Sequence, residues 1–181
     1  MRKILPLLLI FAWISSQAQI LRPNEWAFEL SSSEYNVGDE IDLVFKATID
    51  QKWYLYSSDF DPDLGPMVTE LFFEPNSSFE LVGGLRAINP KKGYDEVFNG
   101  DYTYFRGTGE FRQTIKVLNE AFGFTGSINY QVCTDVDGRC IPFEDDFDQS
   151  SFGIKSKAPV EVDSGNEDTE ASTESGNPED K

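Results

Sequence analysis

Histidine is missing from all 181 residues, and cysteine and methionine occur only twice each. The first absence removes Ser-His-Asp and Cys-His nucleophilic catalysis, together with the commonest protein ligand of zinc and copper. Two cysteines and two methionines are too few to suggest a soft-metal site, so no metal and no cofactor is expected. Positive charge is scarce too. There are 15 Lys and Arg against 32 Asp and Glu, a formal charge of −17. Such a charge repels nucleic acid and anionic lipid surfaces, which argues against both as partners.

No apolar run is long enough to span a bilayer. Ile4–Ile14 is almost wholly apolar but about half of the ~20 residues that a spanning helix needs. It follows Met1-Arg2-Lys3 and leads into Ser16-Gln17-Ala18, with small residues where a signal peptidase reads. That is the layout of a secretory signal. Residues 1–18 are therefore expected to be removed, and no cysteine follows the run to suggest a lipoprotein. Losing Arg2 and Lys3 takes the charge from −17 to −19. No direct membrane insertion is expected after cleavage. From Val160 onward there are eight acidic residues and no aromatic one. That composition cannot bury enough apolar surface to fold, so residues 158–181 read as a disordered acidic tail or linker. One folded domain, residues 19–157, is left.

Within it, Glu40–Ile49 alternates, with Ile41, Leu43, Phe45, Ala47 and Ile49 opposed to Asp42, Lys46 and Thr48; Val44 alone breaks the rule. Glu110–Leu118 sets Phe111, Ile115 and Val117 against Glu110, Arg112, Thr114 and Lys116. Period-2 alternation of this length marks half-buried strands. Further strands are expected at Trp26–Ser32, Trp53–Ser57, Val68–Phe73, Tyr102–Phe105, Ser127–Cys133 and Ser151–Lys155. Turn signals stand at Val37-Gly38-Asp39, Gly65-Pro66, Gly83-Gly84, Asn99-Gly100 and Asp137-Gly138. No segment carries a capped helical stripe. The fold class expected is all-β, an immunoglobulin-like antiparallel β-sandwich.

The reactive chemistry left is the pair Cys133 and Cys140. Outside the cytosol, two cysteines this close are expected to be oxidised to each other, and Asp137-Gly138 is a good turn pair for doubling the chain back. A structural staple is the simplest use of such a bond. Closing so short a loop stabilises by only about 2–3 kcal/mol, however, and a domain of this size should not need it. Alternation also separates Cys133, with Ser127, Asn129 and Gln131, from the apolar face of Ile128, Tyr130 and Val132. A disulfide on that outer face is one an attacking thiolate can reach. Arg139 would favour a thiolate at Cys140, while Asp135 and Asp137 would oppose it.

The segment Tyr130-Gln131-x-Cys133 … Gly138-x-Cys140-x-Pro142, after Trp53-Tyr54-Leu55-Tyr56 and Asp95-Glu96-Val97-Phe98, resembles the N-terminal periplasmic domain of the thiol:disulfide interchange protein DsbD. The resemblance runs from about Ala27 to Phe152. It implies an immunoglobulin-like sandwich with a redox-active cysteine hairpin, working in the periplasm. Such a domain relays electrons from a thioredoxin-like reductant domain to disulfide isomerase-type proteins. It further implies Cys140 as the exchange thiol and Cys133 as the resolving thiol. Phe98, within Asp95–Gly100 and beside Glu96, would cap the pair, with Tyr54 and Tyr56 packed nearby. Two departures stand out. Ile141-Pro142-Phe143 follows Cys140 where the family often has Pro-Pro, and the membrane and thioredoxin-like portions are absent. The chain would be a stand-alone relay or a fragment whose acidic tail was a linker.

Other readings have residues of their own. Asp135-x-Asp137-Gly138 with Glu144 is similar to part of a calcium loop, but Cys133 stands where the first acidic ligand belongs. Glu144-Asp145-Asp146-Phe147-Asp148 reads as a solvated loop. Trp53, Tyr54, Tyr56, Tyr102, Tyr104 and Phe105 could line a carbohydrate-stacking face of a ligand-binding module with a purely structural disulfide. A passive envelope protein would keep a disulfide that mild reductant cannot touch.

Overall fold

Each alternating segment becomes a strand whose apolar phase faces inward. A computed structural model describes residues 21–154; the expected signal, residues 1–18, and the expected tail, 158–181, lie outside the described residues. One sheet has the order β1-β2-β8-β5, from β1 (Asn24–Leu30), β2 (Glu40–Ile49), β8 (Thr108–Val117) and β5 (Phe79–Ala87). The other has the order β10-β9-β3-β7-β6, from β10 (Cys140–Asp148), β9 (Thr125–Thr134), β3 (Trp53–Tyr56), β7 (Gly100–Phe105) and β6 (Lys91–Asp95). The short β4 (Glu70–Phe73) also pairs with β9. All pairings are antiparallel.

The sheets close on Leu43, Phe45, Phe111 and Ile115 from one side and Leu55, Phe105, Ile128, Tyr130 and Val132 from the other, all in one buried cluster. The fold is thus the expected immunoglobulin-like antiparallel sandwich. Phe45, Phe147, Phe152 and Phe124 meet edge to face within it, at centroid distances of 5.2–6.2 Å, the geometry that aromatic quadrupoles prefer.

Three expectations are overturned. Glu144–Asp148 is strand rather than loop, because its charges conceal an alternation. Ile141, Phe143 and Phe147 turn toward the core, and Asp145 among them accepts hydrogen bonds from the Tyr130 hydroxyl (2.6 Å) and Arg22 (2.5 Å). Ser151–Ile154 is not a strand. Ser151–Gly153 form a turn, with Gly153 at φ +76 and the Ile154 amide donating to the Gln149 carbonyl at 3.0 Å. Phe152 and Ile154 alternate as a strand would, yet plug the core from this turn; Lys155 lies outside the described residues. The expected turn at Gly83-Gly84 falls inside β5, where the register slips between Val82 and Arg86, the bulge that a strand glycine often marks.

With so large an apolar core, the disulfide is expected to be dispensable for folding. A Cys133→Ala/Cys140→Ala variant is expected to lose about 2–3 kcal/mol at most. Far-UV circular dichroism should retain a β spectrum and a cooperative melt, whereas a random-coil spectrum would make the bond a staple.

Candidate redox site

The cysteine pair belongs to the outer face of the six-stranded sheet. In β9 the side chains of Ile128, Tyr130 and Val132 enter the core, so Cys133 points away from it. Cys140 opens β10 directly opposite Cys133 in the ladder. The two form a disulfide seven residues apart, with Cα atoms separated by 4.1 Å. The intervening turn is closed by the Gly138 amide donating to the Thr134 carbonyl (3.1 Å) and the Thr134 amide to the Arg139 carbonyl (3.0 Å). Gly138 adopts φ +72 there, a conformation that costs glycine little.

The two cysteines differ in exposure. Cys133 is 1% exposed although it lies outside the core cluster, and Cys140 is exposed. Sequence phase placed Cys133 on the outer face, and there its neighbours cover it. Cys133 lies between β10 on one side and Tyr54 of β3 on the other, while Cys140 is on a strand at the sheet edge.

Beside the pair the outer face is a layer of tyrosines. Tyr54 is the register partner of Cys133. It meets Tyr56 at 5.3 Å and Tyr104 at 5.7 Å, and Tyr102 meets Tyr56 at 5.3 Å, all edge-on. Burial pushes the Tyr56 phenol far above its ordinary pKa, and its contacts with Tyr54 add to the rise. Tyr102 is raised as well, chiefly by burial. Tyr56 and Tyr102 are therefore uncharged at neutral pH. Trp53 and Phe105 instead pack toward the core, so the six aromatics do not form one stacking face.

The segment 57–69 leaves the sheet after β3 and rejoins it at β4. The Ser57 amide donates to Thr103 and the Thr69 amide to Ser57, both at 2.9 Å. Between these points Gln131, on the same face as Cys133, accepts from the Met67 amide at 3.1 Å. Gly65, at φ +123, lies beneath the Phe98 ring: a Cβ there would come within 2.5 Å of Phe98 Cε1. Phe98 itself is 51% exposed. Its turn is set by Asp95, whose carboxylate accepts from the amides of Val97 (2.8 Å) and Phe98 (3.0 Å). Glu96 is exposed.

Charges around the turn are matched in pairs. Asp137 accepts from Arg139 at 3.0 Å, and that guanidinium sits 6.0 Å from the Trp53 ring centre. Asp135 pairs with Arg106 at 2.6 Å. Arg106 was not singled out from sequence, although it continues the phase of Tyr102 and Tyr104; Gly65 was read only as a turn signal and Gln131 only as part of the cysteine motif. Among the described residues no cluster of three or more His, Cys, Asp or Glu could hold a metal, and no helix is long and apolar enough to cross a membrane.

Comparison with solved structures finds the DsbD N-terminal domain of Neisseria meningitidis in its reduced form. It is 20% identical with a TM-score of 0.43, over 68% of this chain and 82% of that one. A second match is the complex between the DsbD N-terminal and PilB N-terminal domains of the same organism. It is 14% identical with a TM-score of 0.43, over 68% and 80% of the two chains. Comparison with curated proteins gives no match. The family model for the N-terminal part of thiol:disulfide interchange protein DsbD matches residues 17–151, and the chain belongs to that family.

Proposed function

We propose that the chain is a periplasmic thiol–disulfide exchange module in which Cys140 meets the partner and Cys133 resolves the mixed disulfide. The observation that carries this reading is the asymmetry of the pair, with Cys140 exposed on an edge strand and Cys133 1% exposed. An incoming thiolate attacks the Cys140 sulfur. The S–S bond breaks and Cys133 departs with the electron pair. In the opposite direction, Cys133 attacks the mixed disulfide and releases the partner's thiolate. Electrons pass from a thioredoxin-like reductant to isomerase-type disulfide proteins. Family membership supports this assignment, and a DsbD N-terminal domain is known in complex with the PilB N-terminal domain.

Phe98, held by Asp95 and seated on Gly65, serves as the cap that excludes unsuitable oxidants, and Tyr54 and Tyr56 form the floor beside the sulfurs. A thiol-trapping titration against glutathione and dithiothreitol buffers tests the reading. Half-reduction is expected at a potential above about −300 mV, the region of labile rather than structural disulfides. A pair still oxidised under strong dithiol would return the bond to a structural role.

A further inference from the structure

The Arg106 side chain adds a link between the cysteine turn and the tyrosine layer beyond the β3–β9 ladder, in which Tyr54 faces Cys133 and Trp53 faces Thr134. It leaves the end of β7 with its guanidinium 4.9 Å from the Tyr54 ring centre and 5.5 Å from that of Tyr104. From there it donates to Asp135 at 2.6 Å. Asp135 begins the turn between Cys133 and Cys140. Thr134 is tied separately, its hydroxyl donating to the Lys52 carbonyl at 2.8 Å and accepting from the Val136 amide at 3.3 Å. The Arg106 bridge therefore holds the start of the turn, one residue beyond the Thr134 tie. Arginine suits the place, since its planar cation stacks on aromatic faces while its N–H groups reach a carboxylate.

We propose that Arg106 is a positioning residue for exchange, clamping the cysteine turn to the tyrosine layer so that Cys133 and Cys140 stay face to face once their bond is cut. The inference rests on the exchange reading above. Two glutathione molecules reduce the pair. The first thiolate forms the mixed disulfide at Cys140 and expels the Cys133 thiolate, which is protonated. The second attacks the glutathione sulfur, releasing Cys140 and leaving glutathione disulfide. The equilibrium constant of this cycle measures how well the folded chain holds the two thiols together. A looser turn makes the disulfide easier to reduce.

The test is the glutathione equilibrium of the full-length chain and its variants, with melting curves to establish folding. Arg106→Ala and Asp135→Asn should each favour the dithiol by about fivefold, and the double variant should go no further. Arg106→Lys, which keeps the cation but not the stacked plane, should lie between. Lys46→Ala breaks a 2.6 Å ion pair with Glu29 on the other sheet and should leave the equilibrium unchanged. Arg106→Ala within twofold of wild type overturns the clamp. Opposite signs for Arg106→Ala and Asp135→Asn overturn it too, because they would mean the charge of Asp135 acts directly on the thiols. An equal shift in Lys46→Ala would reduce the effect to general destabilisation. A wild-type pair that glutathione and dithiothreitol never reduce would sink the exchange reading itself, an outcome distinct from these.

Discussion

Reduced Cys133→Ala protein is expected to become stoichiometrically glutathionylated at Cys140 when mixed with glutathione disulfide, and to remain so. The exposed Cys140 thiolate attacks the disulfide and releases one glutathione. With alanine at 133, no second thiol stands opposite to expel the other. Wild-type protein treated the same way should pass through that adduct and finish as the intramolecular disulfide. Reduced Cys140→Ala should react little, since its remaining sulfur is on an inner strand and 1% exposed in the oxidised fold. Intact mass after acid quenching separates the three outcomes. The same asymmetry should appear with a thioredoxin-like partner, which Cys133→Ala traps and Cys140→Ala does not. Better trapping by Cys140→Ala would reverse the roles.

Strands with clean alternation were legible because their inward phase is apolar at nearly every step. Ile41 to Ile49 and Phe111 to Val117 bury the residues the pattern picks out. β10 was not legible, because Asp145 occupies an inward position and is accommodated by Tyr130 and Arg22, two residues remote in sequence. β6 was missed for a similar reason. Its sequence Lys-Lys-Gly-Tyr-Asp has no apolar phase, and it is a strand through its pairing with β7. The cysteine hairpin was legible from spacing and its Asp-Gly turn. The difference between its sulfurs was not, since it depends on which strand lies at the sheet edge. Arg106 could be placed on the tyrosine face by phase alone, but its pairing with Asp135 spans 29 residues and has no local signature.

Phe98→Ala is expected to speed alkylation of the reduced pair by a bulky maleimide about fivefold, with a smaller effect on iodoacetamide. Half-burying a phenylalanine is worth about 1 kcal/mol, which corresponds to about a fivefold ratio of closed to open cap. Phe98 is about half-exposed as it lies on Gly65, so that contact is what closure would lose. Gly65→Ala should produce the same acceleration from the other side. Its Cβ would fall inside the Phe98 ring's contact distance, and φ +123 is a conformation that L side chains rarely adopt. The ring must then move or the 57–69 loop must shift, and either opens the cap. Because both substitutions remove one contact, the double variant should be no faster than the faster single one. Acceleration of both reagents alike would mean the domain has loosened as a whole. Unchanged rates in Phe98→Ala would show that the ring on Gly65 does not guard the sulfurs. Protection would then rest with the tyrosine layer and the depth of Cys133.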